Sequence, residues 1–490
     1  MNIKTESLSA IEGLEPKRLW RYFAEISSIP RESGNEAMIR DYVLSFATAH
    51  GIAARVDSTG NVILRKQASK GFEHLPSVAL QGHLDMVCVK DEGVVHDFKK
   101  DPIVLKRDGD WLKAVGTSLG ADNGIAIALI MDIFSDENLQ HGPLEAILTI
   151  TEETGLVGAF GLDPSLVQSR LMVNLDSEEE GIFYIGCAGG IEVDAKVHRE
   201  YEGIPHGYVA WKMSVGGLIG GHSGAEIDKQ RANAISCIAR GLYALTEQTD
   251  VRLVSIDGGT KRNVIPSTCS ALFYIPSKMT GQATKIIQKL QQDLAAEYAV
   301  SDPGLSLSLT AENGVSSLAS SNDQSTAIIK ALLVAPHGVD KMSMTIKGLV
   351  ETSANLAIVK TDDSSFVFES SHRSSIQSSR DQIADKTAVA FSIAKGELHI
   401  GNGYPSWTPN PSSRLAQLCK AVWEKQYGTP AVITAIHAGL ECGIINSLVS
   451  NMDSVSVGPN LRGVHSTAEA CSVSSTAKVA DFIRTLLVSL

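Results

Sequence analysis

The sequence predicts an α/β domain that is interrupted by a large α+β insert. Three observations predict this fold class: short β-rich segments alternate with helical patterns over residues 1–190, longer strands dominate residues 191–396, and residues 397–490 return to the first pattern. Strands that alternate with helices are typical of a central sheet with helices on both faces. A chain of 490 residues also exceeds one ordinary core, so we expect two or three domains.

The first segment opens with amphipathic helices and short strands. Apolar residues at helical spacing predict helices over residues 19–26 and 39–49. Short β-rich stretches predict strands over residues 61–64 and 78–80. These elements are the usual components of an α/β layer.

The next elements of the first segment are more strongly apolar. Residues 124–131 are apolar throughout and predict a buried helix, with Asp122 and Asn123 as candidates for its N-cap. Residues 146–151 and 171–175 then predict buried strands. Acidic residues stand at the ends of these elements.

The insert and the last segment differ from each other in pattern. Residues 208–215 predict a long alternating strand and residues 283–298 a helix, and two loosely similar stretches near Trp211 and Asp340 indicate an internal duplication. The last segment contains a predicted helix over 413–427, strands over 431–434 and 454–457, and a final helix from about Ser475. One α/β domain with a large insert explains this order.

The bulk composition excludes several classes of protein. The net charge of -12 provides no basic patch for phosphates, so a nucleic-acid partner is not expected. No run of about 20 apolar residues is present and the N-terminus lacks a signal-peptide core, so we expect no membrane association and a cytoplasmic location. The seven cysteines form no CxxC pair, which favours a reducing compartment over a disulfide framework or a zinc finger.

Metal-binding types of residue follow apolar strands at several places. His83 and Asp85 are two residues apart and therefore on one face of a strand, where Asp85 could fix the orientation of the His83 ring. An apolar run that leads into an acid or a histidine recurs at Asp122, Glu152, Glu153, Asp176 and His465. Ligand sites of open α/β sheets lie beyond the carboxyl ends of the strands.

Each of these residues has a plainer explanation when it is taken alone. Asp122 could cap a helix, Asp176 could belong to a solvated acidic loop, and His83 could be a hydrogen-bonded core histidine. Glu152 and Glu153 could open a polar turn. The recurrence of two histidines with several acids favours a two-metal hydrolase, and such donors suit zinc, manganese or cobalt better than magnesium or calcium.

Eight motifs, in this order, resemble the dipeptidases of the M20 metallopeptidase family. They are QGHLDMV, TSLGADNGIAIA, TITEETGLVGAFGL, VNLDSEEEG with GCAGGI, GGHSGAEI, KRNVIP, IHAGLECG and GVHSTAE. The resemblance runs from about Leu19 to the C-terminus. It implies a catalytic domain with a mixed central sheet flanked by helices, formed by residues 1–190 and 397–490, and an inserted α+β lid domain over residues 191–396, through which related proteins dimerise.

The resemblance also implies roles for individual residues. Two divalent metal ions would be bound, most simply zinc, with cobalt or manganese as alternatives. His83 would bind one ion and His465 the other, Asp122 would bridge them, and Glu153 and Asp176 would each bind one. Asp85 would support His83, and Glu152 would be the general base. The residues expected to contact a small peptide substrate are His222, Asn263, Arg373 and Gly439.

The adjacent acids then have separate tasks. Neighbouring residues on an extended strand point to opposite faces, so Glu153 would face a metal ion while Glu152 holds the attacking water. The expected reaction is hydrolysis of unblocked dipeptides, including Xaa-His, by a homodimer. Two departures from the family pattern stand out: residues 465–469 read HSTAE where close relatives read HSPDE, and serines surround Arg373.

Two other functions remain open at this point. An N-acyl amino acid deacylase could use the same scaffold, although that branch of the family tends to carry glutamate where this chain has Asp176. A catalytically inactive peptide-binding protein could keep the fold. The intact set of metal-binding residues argues against it, because an inactive relative would be expected to lose at least one of them.

Overall fold

The computed structural model describes residues 3–490, which form two compact units. The first unit comprises the chain up to Gly186 together with Pro409–Ala435 and Leu440–Leu490, and the second comprises Cys187–Thr408 and Ile436–Gly439. The predicted class, an α/β domain interrupted by an α+β insert, is confirmed. The boundaries at 190 and 396 remain predictions.

The described chain contains twelve α-helices. They are α1 (Thr5–Ile11), α2 (Lys17–Ser27), α3 (Ala37–Ala49), α4 (Ala121–Phe134), α5 (Val157–Phe160), α6 (Ala234–Thr246), α7 (Thr280–Glu297), α8 (Asn322–Val334), α9 (Gln377–Ser392), α10 (Arg414–Tyr427), α11 (Glu441–Leu448) and α12 (Val473–Leu487). Each helix predicted from apolar spacing has a counterpart among them.

The strands of the described chain form several sheets. They are β1 (Ala53–Val56), β2 (Val62–Lys66), β3 (Val78–His83), β4 (Leu105–Asp108), β5 (Trp111–Ala114), β6 (Leu144–Thr149), β7 (Leu171–Asn174), β8 (Ile182–Cys187), β9 (Gly189–His198), β10 (Tyr201–Gly203), β11 (Tyr208–Gly216), β12 (Arg252–Gly258), β13 (Cys269–Pro276), β14 (Ser306–Glu312), β15 (Leu318–Ser320), β16 (Gly338–Met342), β17 (Val350–Thr361), β18 (Ser365–Ser374), β19 (Glu397–Ile400), β20 (Val432–Ile436), β21 (Asp453–Ser456), β22 (Leu461–Arg462) and β23 (Ala470–Ser472).

The main sheet of the first unit is mixed. Its eight strands have the order β1-β2-β6-β3-β7-β21-β8-β20. β3 pairs in parallel with β6 and β7, and β7 pairs in parallel with β21, whereas β1, β2 and β8 pair antiparallel with their neighbours. The parallel strands β3 and β6 are buried along their whole length, as is usual where helices cover both faces. The carboxyl ends of β3, β6, β7 and β21 therefore meet at one edge.

The core of the first unit explains why this edge is rigid. Helix α4 is apolar on all sides and is almost completely buried. Phe183 of β8 packs against Trp423 and Phe482 of α10 and α12, with ring centroids 5.9 Å and 5.3 Å away. Large aromatic side chains contribute much buried apolar area, so these contacts fix the helices to the sheet.

The second unit contains an antiparallel sheet of two similar halves. The order is β14-β11-β13-β12-β17-β18-β9-β19, with β16 added on β17. The first half runs β11-α6-β12-β13-α7-β14 and the second runs β9-α8-β17-β18-α9-β19, so both are βαββαβ units. β12 and β17, the second strand of each half, pair antiparallel and join the halves.

This topology agrees with an internal duplication but not with the sequence stretches that suggested it. Trp211 lies in β11, the first strand of its half, whereas Asp340 lies in β16, which has no counterpart in the other half. The first half is inserted between β9 and α8 of the second, which separates equivalent elements in the sequence. Throughout the described residues, no helix combines the length and the apolar character that crossing a bilayer requires.

Candidate active site

The predicted metal-binding residues come together at the carboxyl ends of the parallel strands of the first unit. His83 is the last residue of β3, Glu152 and Glu153 follow β6, and Asp176 follows β7. His465 lies in the loop between β22 and β23, and Asp122 lies in the first turn of α4. The strand ends bring these side chains together although they are far apart in the sequence.

Asp122 lies between the two histidines. Its Oδ1 is 3.0 Å from His83 Nε2, and its Oδ2 is 3.1 Å from His465 Nε2. Asp122 has a non-helical backbone and makes no side-chain cap to α4, whose N-cap is Gly120. The helix-cap explanation for Asp122 is therefore wrong, and its carboxylate faces both histidines instead.

Each histidine has a second carboxylate beside it. Asp176 Oδ1 lies 3.4 Å from His83 Nε2, and Glu153 Oε2 lies 3.0 Å from His465 Nε2. Two sets of three donors result, His83 with Asp122 and Asp176, and His465 with Asp122 and Glu153, and in each set the donor atoms lie within 4.8 Å of one another. The shared Asp122 is the geometry of a bridging ligand between two neighbouring cations.

The donor set fits divalent cations on electrostatic grounds. Burial alone would lower the pKa of His83, but the carboxylates of Asp176, Asp122 and Asp85 outweigh it and hold that pKa well above its usual range. Glu153 Oε1 is buried and has no hydrogen-bond partner among the described residues. Unpaired buried carboxylate oxygens are costly, so this cluster is suited to positive charge.

Asp85 orients both a histidine and the glutamate pair. Its Oδ1 lies 3.3 Å from His83 Nδ1, and its two oxygens accept hydrogen bonds from the amides of Glu152 (3.0 Å) and Glu153 (3.2 Å). Ser33 Oγ donates a further bond of 2.8 Å. Burial would raise the pKa of Asp85, but His83 and these hydrogen bonds lower it to about 2. Asp85 therefore remains ionised and fixes the start of the loop after β6.

Glu152 lies beside the cluster without sharing its ion pairs. One carboxylate oxygen of Glu152, one of Glu153 and a ring nitrogen of His83 lie within 4.8 Å of one another. Burial raises the pKa of Glu152 well above its usual range, and although His83 opposes this shift, Asp176 and Glu441 add to it. A buried carboxyl group with a raised pKa is the kind of group that serves as a general acid or base.

Glu469 supports the backbone beside these residues, a contact that the sequence did not reveal. Its carboxylate accepts the amides of Leu119 (2.8 Å), Gly120 (2.9 Å), Ala121 (2.8 Å) and Asp122 (3.3 Å). It thus joins the start of α4, which carries Asp122, to the loop of His465, a residue in the left-handed region at φ 60°. The only signal in the sequence was its position four residues after His465.

Arg31 joins the start of α4 to the end of β3. Its Nη1 donates to the carbonyl oxygens of Leu84 (3.1 Å) and Asp85 (2.6 Å), and its Nη2 donates to Gly120. The guanidinium is fully buried, and burial lowers its pKa, an effect that Glu469 and Asp85 oppose. Arg31 therefore holds the end of β3 against the start of α4.

A buried polar network lies among the same strands. Glu441, at the start of α11, accepts 2.6 Å bonds from Gln81 Nε2 and from Thr149 Oγ1. Gln81 in turn accepts from Asn174, which accepts from Ser456 Oγ, each at 2.5 Å. The network links β3, β6, β7 and β21 side by side, so it fixes the register of the strands that carry the site.

The substrate residues predicted in the insert lie in the second unit. His222 Nδ1 accepts the amides of Gly224 (3.2 Å) and Ala225 (3.0 Å), so its proton is on Nε2. Burial, followed by the positive charge of Arg373, lowers the pKa of His222. His222 is therefore a neutral ring with a free Nε2–H donor.

Asn263 and Arg373 line one cavity of about 230 Å³ in the second unit, together with Arg262 and Tyr404. Arg373 Nη1 donates to Tyr404 Oη at 3.1 Å. Gly439 lies so close to the ring of Tyr404 that a methyl group on Gly439 would come within 2.9 Å of Tyr404 Cε2. Tyr404 belongs to this cluster as well, although no pattern in the sequence predicted it.

An α/β unit that gathers histidines and acids in this way, joined in one chain to an α+β unit, is the architecture of a two-domain metallopeptidase. Residues 214–302 match the M20 peptidase dimerisation domain. The chain is 37% identical to the cytosol non-specific dipeptidase of Escherichia coli K12 over 98% of this chain and 99% of that protein. It therefore belongs to the M20 peptidase family, as the motifs predicted.

Solved structures agree with this assignment. The aminoacylhistidine dipeptidase of Vibrio alginolyticus superposes with a TM-score of 0.93 at 34% identity and covers 99% of both chains. The aminopeptidase PepT of Bacillus cereus superposes with a TM-score of 0.57 at 16% identity, covering 97% of this chain and 99% of that one, which shows the fold alone. The predicted enzyme class, a hydrolase of the M20 family, is confirmed.

Proposed function

We propose that this chain hydrolyses unblocked dipeptides, including Xaa-His, in a metal-dependent reaction in the cytosol. The observation that carries the proposal is the sharing of Asp122 between two groups of histidine and carboxylate, with Glu152 beside them. The names of two relatives support the substrate class, since one is a cytosol non-specific dipeptidase and the other an aminoacylhistidine dipeptidase.

Two divalent cations fit the donor set. His83 and Asp176 would hold one ion and His465 and Glu153 the other, with Asp122 bound to both. We propose zinc, with cobalt or manganese as alternatives, because nitrogen and carboxylate donors suit all three. When bound, two such ions lower the pKa of a water molecule and polarise the scissile carbonyl group.

Glu152 is the proposed general base. Its carboxylate takes a proton from the attacking water and then gives that proton to the leaving amine. The place of Glu152 supports this role, because its carboxylate lies beside His83 and Glu153 but belongs to neither of the two donor sets that share Asp122. Asp85 is a positioning residue that holds the amides of Glu152 and Glu153 in place.

The second unit supplies the proposed contacts to the peptide. His222 Nε2–H is suited to donate to a carbonyl oxygen on which negative charge develops. Arg373 is suited to bind the terminal carboxylate, because its guanidinium can form two parallel hydrogen bonds. Asn263 adds a polar contact and Gly439 a close approach of the backbone.

We also propose that the chain forms a homodimer through the second unit. The support is the match of residues 214–302 to the dimerisation domain of M20 peptidases.

The proposal is tested by hydrolysis of Ala-His, Gly-Leu, a tripeptide and N-acetyl-leucine. Metal-loaded protein should cleave the free dipeptides, and chelator-treated protein should lose this activity and regain it when metal is returned. Cleavage of N-acetyl-leucine instead would establish a deacylase. A protein that binds metal yet cleaves none of the four would overturn the proposed activity.

A further inference from the structure

Two arginines line the cavity of about 230 Å³ in the second unit, but carboxylates neutralise only one of them. Arg262 forms ion pairs with Asp194 at 2.5 Å, Glu369 at 3.1 Å and Glu192 at 3.2 Å. Within residues 3–490, no carboxylate pairs with Arg373. Its Nη1 donates to Tyr404 Oη, and its Nε is buried without a partner.

This difference identifies the arginine that is available to a ligand. Arg373 is half-buried, and its buried Nε has lost hydration without gaining a partner, which is unfavourable for a charged group. Arg262 has no such deficit, since three acids surround it. An anion that enters the cavity therefore gains most from contact with Arg373.

Tyr404 is held in a fixed position beside Arg373. A methyl group on Gly190 would lie 2.4–2.6 Å from the Tyr404 ring and hydroxyl, and a methyl group on Gly439 would lie 2.9 Å from the ring, so glycine at both positions lets the ring fit between them. The main chain of Tyr404 exchanges hydrogen bonds with Gly190 at 2.9 Å and 3.1 Å, and its carbonyl accepts a 2.6 Å bond from Arg380. Ring and backbone are thus both immobilised.

The hydroxyl group of Tyr404 is left with a proton to donate. Because Oη accepts from Arg373 Nη1, its own O–H is directed elsewhere. Burial raises the pKa of Tyr404, so the hydroxyl stays protonated at neutral pH. A guanidinium beside a hydroxyl donor matches the two oxygens of a carboxylate.

We propose that Tyr404 is a specificity-determining residue, which together with Arg373 binds the C-terminal carboxylate of the dipeptide. This inference rests on the proposed dipeptidase function and adds a residue to it. Tyr404 supplies a hydrogen bond that only a substrate with a free carboxylate can use fully. A dipeptide whose C-terminus is amidated carries no charge there, and its single carbonyl oxygen accepts only weaker, uncharged hydrogen bonds.

The test compares Tyr404→Phe with the wild type on a dipeptide and on the matching dipeptide amide. On the free dipeptide, kcat/KM should fall roughly 10- to 100-fold, mainly through a higher KM, which is the usual worth of a hydrogen bond to a charged group. On the amide, the loss should be clearly smaller, roughly 2- to 10-fold, because a hydrogen bond to an uncharged carbonyl oxygen contributes less than one to a carboxylate.

A second tyrosine of the same unit provides the control. Tyr208 donates to Asp250 at 2.7 Å, away from the cavity, so Tyr208→Phe should leave both substrates unaffected. If Tyr404→Phe lowers kcat/KM equally on the free dipeptide and on its amide, or on neither, the inference is overturned. The dipeptidase proposal would remain intact in both cases. If the wild type cleaves neither substrate, the proposed function itself fails.

Discussion

Glu152 and Glu153 are neighbours in the chain but have different surroundings. Glu153 Oε2 lies 3.0 Å from His465 Nε2, within the second set of metal donors. Glu152 takes part in neither of the two sets that share Asp122. Asp85 accepts both backbone amides and so holds the backbone from which both side chains start. The prediction that the two side chains point to opposite faces is wrong, because both residues lie in the turn after β6 and their carboxylates lie within 4.8 Å of each other. In the proposed mechanism, these adjacent residues divide metal binding and proton transfer between them.

This separation predicts the behaviour of Glu152→Gln. The variant should keep its metal, because the proposed ligands are intact, but turnover should fall by about 10²–10⁴-fold, since an amide cannot accept the proton of the water. Elemental analysis and kcat measured on the same sample check both parts. Glu137→Gln, at an exposed glutamate, should behave as the wild type. Normal turnover in Glu152→Gln would end its assignment as the base.

At the scale of the elements, the site depends on how the start of α4 is joined to the loop of His465. The amides at the start of a helix carry partial positive charge and lack partners within the helix. Glu469 satisfies four of them and belongs to the same loop as His465. One carboxylate therefore sets the distance between Asp122 and His465.

Glu469→Ala should consequently weaken metal binding without removing any ligand. We expect a loss of roughly 10- to 100-fold in metal affinity, the usual effect of losing a group that orients ligands. Competition with a chromogenic chelator measures it. Glu73→Ala is the matched control, because Glu73 is exposed and also accepts a backbone amide. Unchanged affinity in Glu469→Ala would show that α4 and the loop keep their places without it.

The sequence predicted the elements that carry the proposed metal ligands more readily than those that carry the proposed substrate contacts. An apolar strand followed by an acid is a local pattern, so the ends of β3, β6 and β7 were found from a few residues each. Tyr404 stands in an irregular stretch where no periodicity marks it. Glu469 bonds to amides as many as 350 residues away in the chain, and no local pattern reveals such a partner.

The sequence predicted a duplication in the second unit, but it pointed to the wrong strands, for a related reason. Its evidence is the order of strands in space, and one half of the sheet is inserted into the other. Equivalent strands share a position and a direction but little sequence, since a buried sheet accepts many apolar residues. The similarity near Trp211 and Asp340 therefore fell on strands that do not correspond.

At the scale of the whole molecule, buried histidines make stability depend on pH. His372 in β18 is fully buried, its Nε2 lies 2.7 Å from Thr387 Oγ1, and burial lowers its pKa from 6.5 to about 4. Between about pH 4 and pH 6.5, His372 is therefore protonated in the unfolded chain but neutral in the folded chain. The neutral His372 makes its full contribution to the free energy of unfolding above pH 6.5. As the pH falls to about 4, up to about 3 kcal/mol of that free energy is lost.

His372→Gln should reduce this dependence, because glutamine is neutral at every pH and can still bond to Thr387. Urea unfolding at pH 7 and pH 4.5 should show a smaller difference in unfolding free energy for the variant than for the wild type. His74→Gln, at an exposed histidine, should leave that difference unchanged. If His372→Gln and the wild type lose stability equally, the protonation of His372 is not a cause of acid unfolding.

The distance along the chain between Asp122 and His465 has a consequence for synthesis. The two residues are 343 positions apart. A ribosome adds about 5–20 residues per second, so His465 is synthesised roughly 20 to 70 s after Asp122. During that interval the nascent chain carries the acids of the site without His465 or Glu469. The proposed metal centre can be completed only after His465 has been synthesised, so we expect metal to be loaded after that point in translation.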